Sequence, residues 1–316
     1  MRVFVVGASG AIGRRLVPRL IERGHDVVGT CSSVEKTGVI RTLGAEAVVL
    51  DLLDSAGVRE AVRDARPDAI VHQATALAAG GFSRKLDKTF AVTNRLRTDG
   101  TDALLAAAGK AGVRRVVAQS FAPYRYARQG GPVKSEDDPL DHNPPAGARE
   151  TTAAMAYLDE VVTGYGGIAL RYGGFYGNPD DQLAKLVRKR RFPLIGNGEG
   201  ITSWIHLDDA ATATALALDH EGPAIYNIVD DEPAPAREWA PILADALGAK
   251  PPRHVPAWLV RLVVGADAVM GATQARGASN ARAKAELGWT LRYPSWRQGF
   301  VAAYAATSRA QRRPVS

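Results

Sequence analysis

Along the first half of the chain, short runs of β-branched and apolar residues alternate with longer stretches in which apolar positions recur three and four residues apart. The short runs fall at residues 3–6, 26–29, 47–50, 69–72, 115–118 and 167–170, and the longer ones at 12–23, 58–63, 94–112 and 152–162. A short, nearly unbroken apolar run marks a buried strand, and a 3.6-residue period marks an amphipathic helix. The alternation predicts an α/β fold in which six parallel strands are joined by crossing helices. Gly24 and Gly112 stand where C-terminal caps of two of those helices are expected.

Past Tyr172 the regularity weakens, and residues 173–179, Gly-Gly-Phe-Tyr-Gly-Asn-Pro, form a turn-rich departure from the sheet. Residues 203–206 and 224–229 read as strands returning toward the first lobe, with a helix over 207–219 between them. The expected division is a major lobe of residues 1–172 plus 203–230 and a mainly helical lobe of 173–202 plus 231–316.

Composition narrows the class. The chain has 316 residues, 46% of them hydrophobic and 23% charged, and a single cysteine, Cys31, which rules out an internal disulfide. No apolar run approaches the roughly 20 residues of a membrane helix, and the first residues enter a strand at once, so a cytoplasmic protein without membrane contact is expected. The formal charge of +7 comes from scattered basic residues with no recognition motif, which argues against nucleic acid. A basic mouth for a small anionic ligand accounts for it as well as a solvated surface does. No His, Asp or Glu group has metal-ligand spacing, so no metal is expected.

The strongest chemical signal is Gly7-Ala8-Ser9-Gly10-Ala11-Ile12-Gly13, directly after a strand and directly before an amphipathic helix. Gly7 permits the tight turn, Gly10 lets the backbone approach a diphosphate, and Gly13 lets the helix pack on the sheet. The helix start then offers its amides to the phosphates. A doubly wound, Rossmann-type parallel sheet binding a dinucleotide follows. After the second strand, Thr30, Ser32, Ser33 and Lys36 stand where a carboxylate would accept from an adenine-ribose hydroxyl, with Arg14 just beyond the last glycine. These residues suit a 2′-phosphate, so NADP is favoured, with Glu35 keeping NAD open.

With these residues the chain resembles the extended short-chain dehydrogenase/reductase superfamily, the NAD-dependent epimerase/dehydratase group, over nearly its whole length. Asp51-Leu52 looks like the family's adenine-binding pair, and Gln73, Ala74 and Thr75 sit where its fourth-strand loop meets the cofactor. Asn94 opens the expected long helix, Ser120 ends the fifth strand, and residues 170–177, with Tyr172 and Tyr176, resemble the crossing to the substrate lobe. The resemblance implies redox or redox-assisted chemistry at a carbon bearing oxygen, a small polar substrate such as a sugar derivative, and a homodimer. It also implies an acid/base tyrosine with a lysine four residues later.

That pair is missing. No tyrosine is followed by lysine at the fourth position, and no lysine lies between Lys134 and Lys185. Candidate substitutes are Ser120, which would hold the substrate oxygen, Tyr124 and Tyr126 in the following loop, and Glu150 at the start of the next helix. Tyr176 and Arg276 are candidate substrate contacts, whereas Tyr157 is expected in the core. The reading is an atypical NAD(P)-dependent oxidoreductase or epimerase. A non-redox dehydratase or cyclase on the same fold, or an NADP-sensing regulator without catalysis, are the alternatives the missing pair leaves open.

Overall fold

In the computed structural model, the described residues are 1–76, 86–123, 125–178 and 182–311. Strands β1 (Arg2–Val6), β2 (Asp26–Cys31), β3 (Glu46–Val49), β4 (Ala69–His72), β5 (Arg115–Phe121), β6 (Ile168–Tyr172) and β7 (Ala224–Ile228) form one seven-stranded sheet. All neighbours pair in parallel, in the order β7-β6-β5-β4-β1-β2-β3. The six strands read from the sequence are all present, and residues 224–228 add the seventh by pairing with β6.

The helices are α1 (Gly13–Glu22), α2 (Thr37–Thr42), α3 (Ser55–Ala65), α4 (Leu86–Arg97), α5 (Asp99–Ala111), α6 (Arg149–Gly164), α7 (Gln182–Arg188), α8 (Leu207–Ala217), α9 (Ala236–Ala246), α10 (Ala257–Val263), α11 (Ala266–Gln274), α12 (Ala281–Leu287) and α13 (Trp296–Gln311). One face of the sheet packs α1 and α8 over Val5, Leu16, Leu20, Val71, Leu170 and Ile205, and the other packs α3 and α5 over Phe4, Val28, Val58, Val62 and Leu104. Burial on both faces explains why these strands are continuously apolar instead of alternating.

Two expectations need correcting. The helix expected over 94–112 is two helices, because Thr98 leaves helical geometry (φ −97°, ψ −86°) and Asp99 and Asp102 begin a new acidic first turn. Asn94 therefore lies in the last turn of α4 and opens nothing. Residues 204–206 do not rejoin the main sheet but pair in parallel with the short strand Gly174–Tyr176.

A second, aromatic core holds Tyr176, Phe192, Trp204, Trp239, Trp296, Phe300 and Tyr304. It is moored to the sheet by Asp209 in the first turn of α8, whose carboxylate accepts the backbone amides of Arg292 at 2.8 Å and Tyr293 at 2.9 Å. No helix among the described residues is long and apolar enough to cross a membrane.

Candidate active site

Strand order reverses between β1 and β4, and in an open parallel sheet the crevice at that reversal is where a ligand binds. Gly7 follows β1 with φ +86°, and a Cβ there would lie 2.9 Å from the Ala74 amide nitrogen and from the Gln73 carbonyl. Gly13 is equally constrained, since its Cβ would come within 2.5 Å of the Ala8 carbonyl oxygen. Gly10 differs: a Cβ would meet only the Gly7 carbonyl, at 3.1 Å, and otherwise project into the groove. No side chain caps the N-terminus of α1. Bare backbone and uncapped amides fit a diphosphate.

A cavity of about 440 Å³ lies along this turn. Gly7, Ser9, Gly10, Ala11, Ile12, Gly13 and Arg14 border it from the turn. Thr30, Ser32 and Lys36 border it after β2, Asp51 and Leu52 after β3, and Gln73, Ala74 and Thr75 after β4. Sequence reasoning placed all of these; it missed Gln119 and Phe175, which close the end near β5 and the lobe crossing.

Ser33, Asn94 and Tyr172 do not border the cavity. Ser33 precedes the turn at Val34–Lys36 without a capping bond from its side chain and hydrogen-bonds the Glu35 carboxyl, lowering it. Asn94 donates to Thr151 Oγ1. Tyr172 is fully buried, its hydroxyl meeting Thr214 Oγ1 at 2.6 Å and accepting from Gln73 Nε2 at 3.1 Å, and burial pushes it up to about 12. It therefore supports Gln73 from behind.

At the end of the groove that follows β2, Lys36 Nζ reaches Ser32 Oγ at 3.2 Å, and Arg14 Nε donates to the Ser9 carbonyl at 2.8 Å. Asp51 is spoken for locally, accepting the Leu53 amide at 2.9 Å. The loop after β4 is held by His72, whose Nδ1 accepts the Ala74 amide at 3.3 Å while Nε2 faces the Leu96 carbonyl at 3.4 Å. Full burial draws the imidazole down to about 4, so it is neutral in the folded protein.

Beyond β5 the structure brings together residues the sequence left far apart. Ser120 is fully buried and accepts from Arg125 Nη1 at 3.0 Å; the same nitrogen donates to Asp159 Oδ2 at 2.7 Å. Arg171 Nε donates to that oxygen at 2.8 Å, and its Nη1 donates to the Tyr126 hydroxyl at 3.2 Å, which in turn donates to Asn227 Oδ1 at 2.6 Å. Arg97 is buried nearby; desolvation, then repulsion from Arg125, lower it to about 10. Desolvation also lowers Arg125. Among the described residues, Arg97 Nε, Arg125 Nε and Nη2, and Asp159 Oδ1 have no hydrogen-bond partner. Two guanidinium groups thus bond one carboxylate oxygen, with a third buried close by.

The other candidates are dispersed. Tyr124 lies outside the described residues. Glu150 is exposed, and its amide, with that of Thr151, is capped by Asp87. Tyr176 is sealed in the aromatic core, with desolvation raising its phenol far above the ordinary value. Arg276 Nε donates to the Arg128 carbonyl at 2.9 Å and borders a second cavity, with Tyr126, between the loop after β5 and α11. Tyr157 is not in the core: it is 36% exposed and donates to Asp102 at 2.8 Å.

The buried cluster carried one sequence signal. Asp159 interrupts the apolar face Met155, Leu158 and Val162, and a carboxylate in that position is buried only when paired. Nothing in the sequence said that Arg125 and Arg171 would be its partners.

Residues 3–229 match the NAD dependent epimerase/dehydratase family. A 3-diazoavenalumate denitrifying reductase from a Streptomyces species is 42% identical over 307 residues, covering 95% of this chain and 99% of the relative. A 2-alkyl-3-oxoalkanoate reductase from Stenotrophomonas maltophilia is 29% identical, over 79% of this chain and 76% of its own length. Among solved structures, UDP-glucose 4-epimerase from Thermotoga maritima with UDP-glucose superposes with a TM-score of 0.77 at 19% identity, covering 98% of this chain and 100% of that one. The Thermus thermophilus UDP-glucose 4-epimerase in complex with NAD gives 0.71 at 24% identity, with 98% and 99% coverage. The glycine-turn groove, the parallel sheet and these matches together establish that the chain belongs to the NAD dependent epimerase/dehydratase family, as an enzyme of its oxidoreductase and epimerase type.

Proposed function

We propose that the chain is an NADP-preferring reductase that removes the diazo group of an arene as dinitrogen, the reaction class named for its Streptomyces relative. One observation carries the reading: among the described residues, those at the β5 end of the groove and those bordering the second cavity include no carboxylic acid or tyrosine hydroxyl with an uncommitted proton for a substrate oxygen. Gln119 and Phe175 stand at the β5 end of the cofactor groove. In the second cavity Tyr126 has its proton committed to Asn227, and Asp141 is paired with Arg128 at 3.3 Å. On α6, Thr151 and Met155 occupy buried positions one turn apart and form no tyrosine and lysine pair.

Carbonyl reduction needs a proton on oxygen as well as a hydride, whereas a diazonium arene does not. Reduced nicotinamide, when bound, supplies a hydride. The hydride pair becomes the new aryl C–H bond, the C–N bond breaks, and its electrons leave with N2; no proton is required. The protein's part is to bind and orient. The glycine turn and the start of α1 hold the diphosphate, Asp51 and Leu52 border the adenine, and Arg14, Ser32 and Lys36 receive the 2′-phosphate. Gln73, fixed by Tyr172, and Phe175 flank the ring end. Residues 1–172 with 203–230 serve as the cofactor lobe, and 173–202 with 231–316 as the lobe that encloses the substrate.

The test is single-turnover reduction of diazotised 3-aminobenzoate with NADPH deuterated at C4. Stoichiometric N2 and benzoate carrying one deuterium are expected, with Tyr124→Phe and Ser120→Ala retaining the activity. Protonated benzoate free of deuterium, or activity confined to ketones and lost in Tyr124→Phe, overturns the proposal.

A further inference from the structure

The second cavity, about 180 Å³, is bordered by apolar groups from three directions: Leu86 of α4, Tyr126 and Pro145 from the loop after β5, and Val264, Met270 and Ala272 around α11. It is smaller than the roughly 300–1,000 Å³ of pockets that take drug-sized ligands, so its natural occupant is about one ring with a short substituent. Tyr126 presents a ring face, since its hydroxyl is turned toward Asn227 and Arg171. Among the described residues its charged neighbours are Arg128, Arg276 and Asp141, two cations and one anion. Asp141 pairs with Arg128, which leaves one positive charge unmatched. Arg276 spends Nε and Nη2 on the Arg128 carbonyl, leaving Nη1 uncommitted among the described residues.

Behind the Tyr126 ring stands Arg171, 5.7 Å from its centroid, which is bonded to Asp159 and faces the buried side chain of Glu136. The unmatched charge of Arg276 on the cavity wall favours an anion. The cavity also stands beside the cofactor groove. Leu86 borders the one and Val92 the other on the same helix, six residues or about 9 Å apart at 1.5 Å per residue.

We infer that this cavity is a subsite for a single-ring aromatic monocarboxylate, with the ring against Tyr126 and the carboxylate on Arg276. The assignment rests on the reductase reading for the identity of the reacting ring. It excludes nucleotide sugars, which are too large and too polar for these walls.

Calorimetric titration of the NADP⁺-loaded protein tests the subsite without turnover. Cinnamate is expected to bind about tenfold or more tightly than neutral cinnamamide of the same shape, a charge-assisted difference. Arg276→Gln should erase that difference while cinnamamide binding stays unchanged. Because Arg276 also supports the Arg128 backbone, Ala268→Glu provides a second probe: a new carboxylate in the wall should weaken cinnamate by a similar factor and spare cinnamamide. Equal binding of acid and amide, no binding of either, retention of the preference in both variants, or displacement of cinnamate by UDP-glucose overturns the subsite. Cinnamate binding of the expected kind in a protein that releases no N2 would retain the subsite and overturn the reaction, so the two failures are distinct.

Discussion

The side-chain amide of Asn94 donates to the hydroxyl of Thr151 at 3.1 Å, joining the last turn of α4 to the first turn of α6. Both side chains are buried, and Asn94 Oδ1 has no partner of its own among the described residues. Thr151→Val keeps the shape and strands the Asn94 donor. It is expected to cost about 1–3 kcal/mol of stability, the usual penalty for an unsatisfied buried polar group. Urea denaturation measures the loss. Under the proposed reaction kcat should be unaffected, because Thr151 supplies no proton; a collapse of kcat with unchanged stability would assign it a chemical part.

Among the described residues, Asp159 is the sole carboxylate hydrogen-bonded to Arg125 and Arg171. Asp159→Asn removes the charge while preserving volume. Breaking a buried pair leaves uncompensated charge and typically costs about 3–5 kcal/mol. The variant should melt well below the parent, and acetate or chloride should not rescue it, since the cluster is closed to solvent. A Tm within a degree of the parent's would mean that the guanidinium groups find other anions.

Under the proposed function, cofactor preference turns on Lys36, Arg14 and Ser32, which border the groove. Lys36→Glu places a carboxylate against a 2′-phosphate and beside a 2′-hydroxyl. The ratio of kcat/KM for NADPH over NADH should fall by about tenfold or more, mostly through KM. Parallel initial-rate measurements decide it, and an unchanged ratio removes Lys36 from the phosphate site.

Stability should depend on pH from both sides. His72 and His206 are each drawn down to about 4, mainly by burial, so the folded state binds their protons less readily than the unfolded state does. Their contribution is full above about 6.5 and is lost as pH falls through 4, up to about 3 kcal/mol for a fully buried imidazole. Asp230 behaves oppositely. Burial raises it to about 8, so the folded state holds its proton more tightly, and stability declines as pH climbs from about 4 through 8. Chemical denaturation at pH 4.5, 6.5 and 9 should show both declines. Asp230→Asn should flatten the alkaline one, and His72→Asn should flatten part of the acid one; an alkaline decline unchanged in Asp230→Asn would acquit that carboxyl.

Much of the cofactor lobe was legible because its signals are local. A buried strand, a glycine needing φ above zero and a helix start all fall within a few residues of one another around Gly7, and the groove residues through Thr75 follow from that register. What escaped depends on distant segments. Asp159, Arg125 and Arg171 are 34 and 12 residues apart in their pairings, and only the fold brings them to one oxygen. Tyr157 misled for a subtler reason: it sits at the edge of the apolar stripe of α6, and Asp102 on α5 offers its hydroxyl a partner at the surface. The division of residues 94–112 hinged on Thr98-Asp99, a polar step inside an otherwise periodic stretch that functions as a fresh helix start.

The mooring of residues 292 and 293 on Asp209 makes this late segment of the chain a structural component of the half that carries the sheet. A chain cut ahead of Arg292 would leave a largely buried carboxylate facing nothing, and would take away Trp296 and Phe300 from the aromatic core. Completion of the seven-stranded sheet therefore leaves the anchor of α8 unmade: it awaits residues 292 and 293.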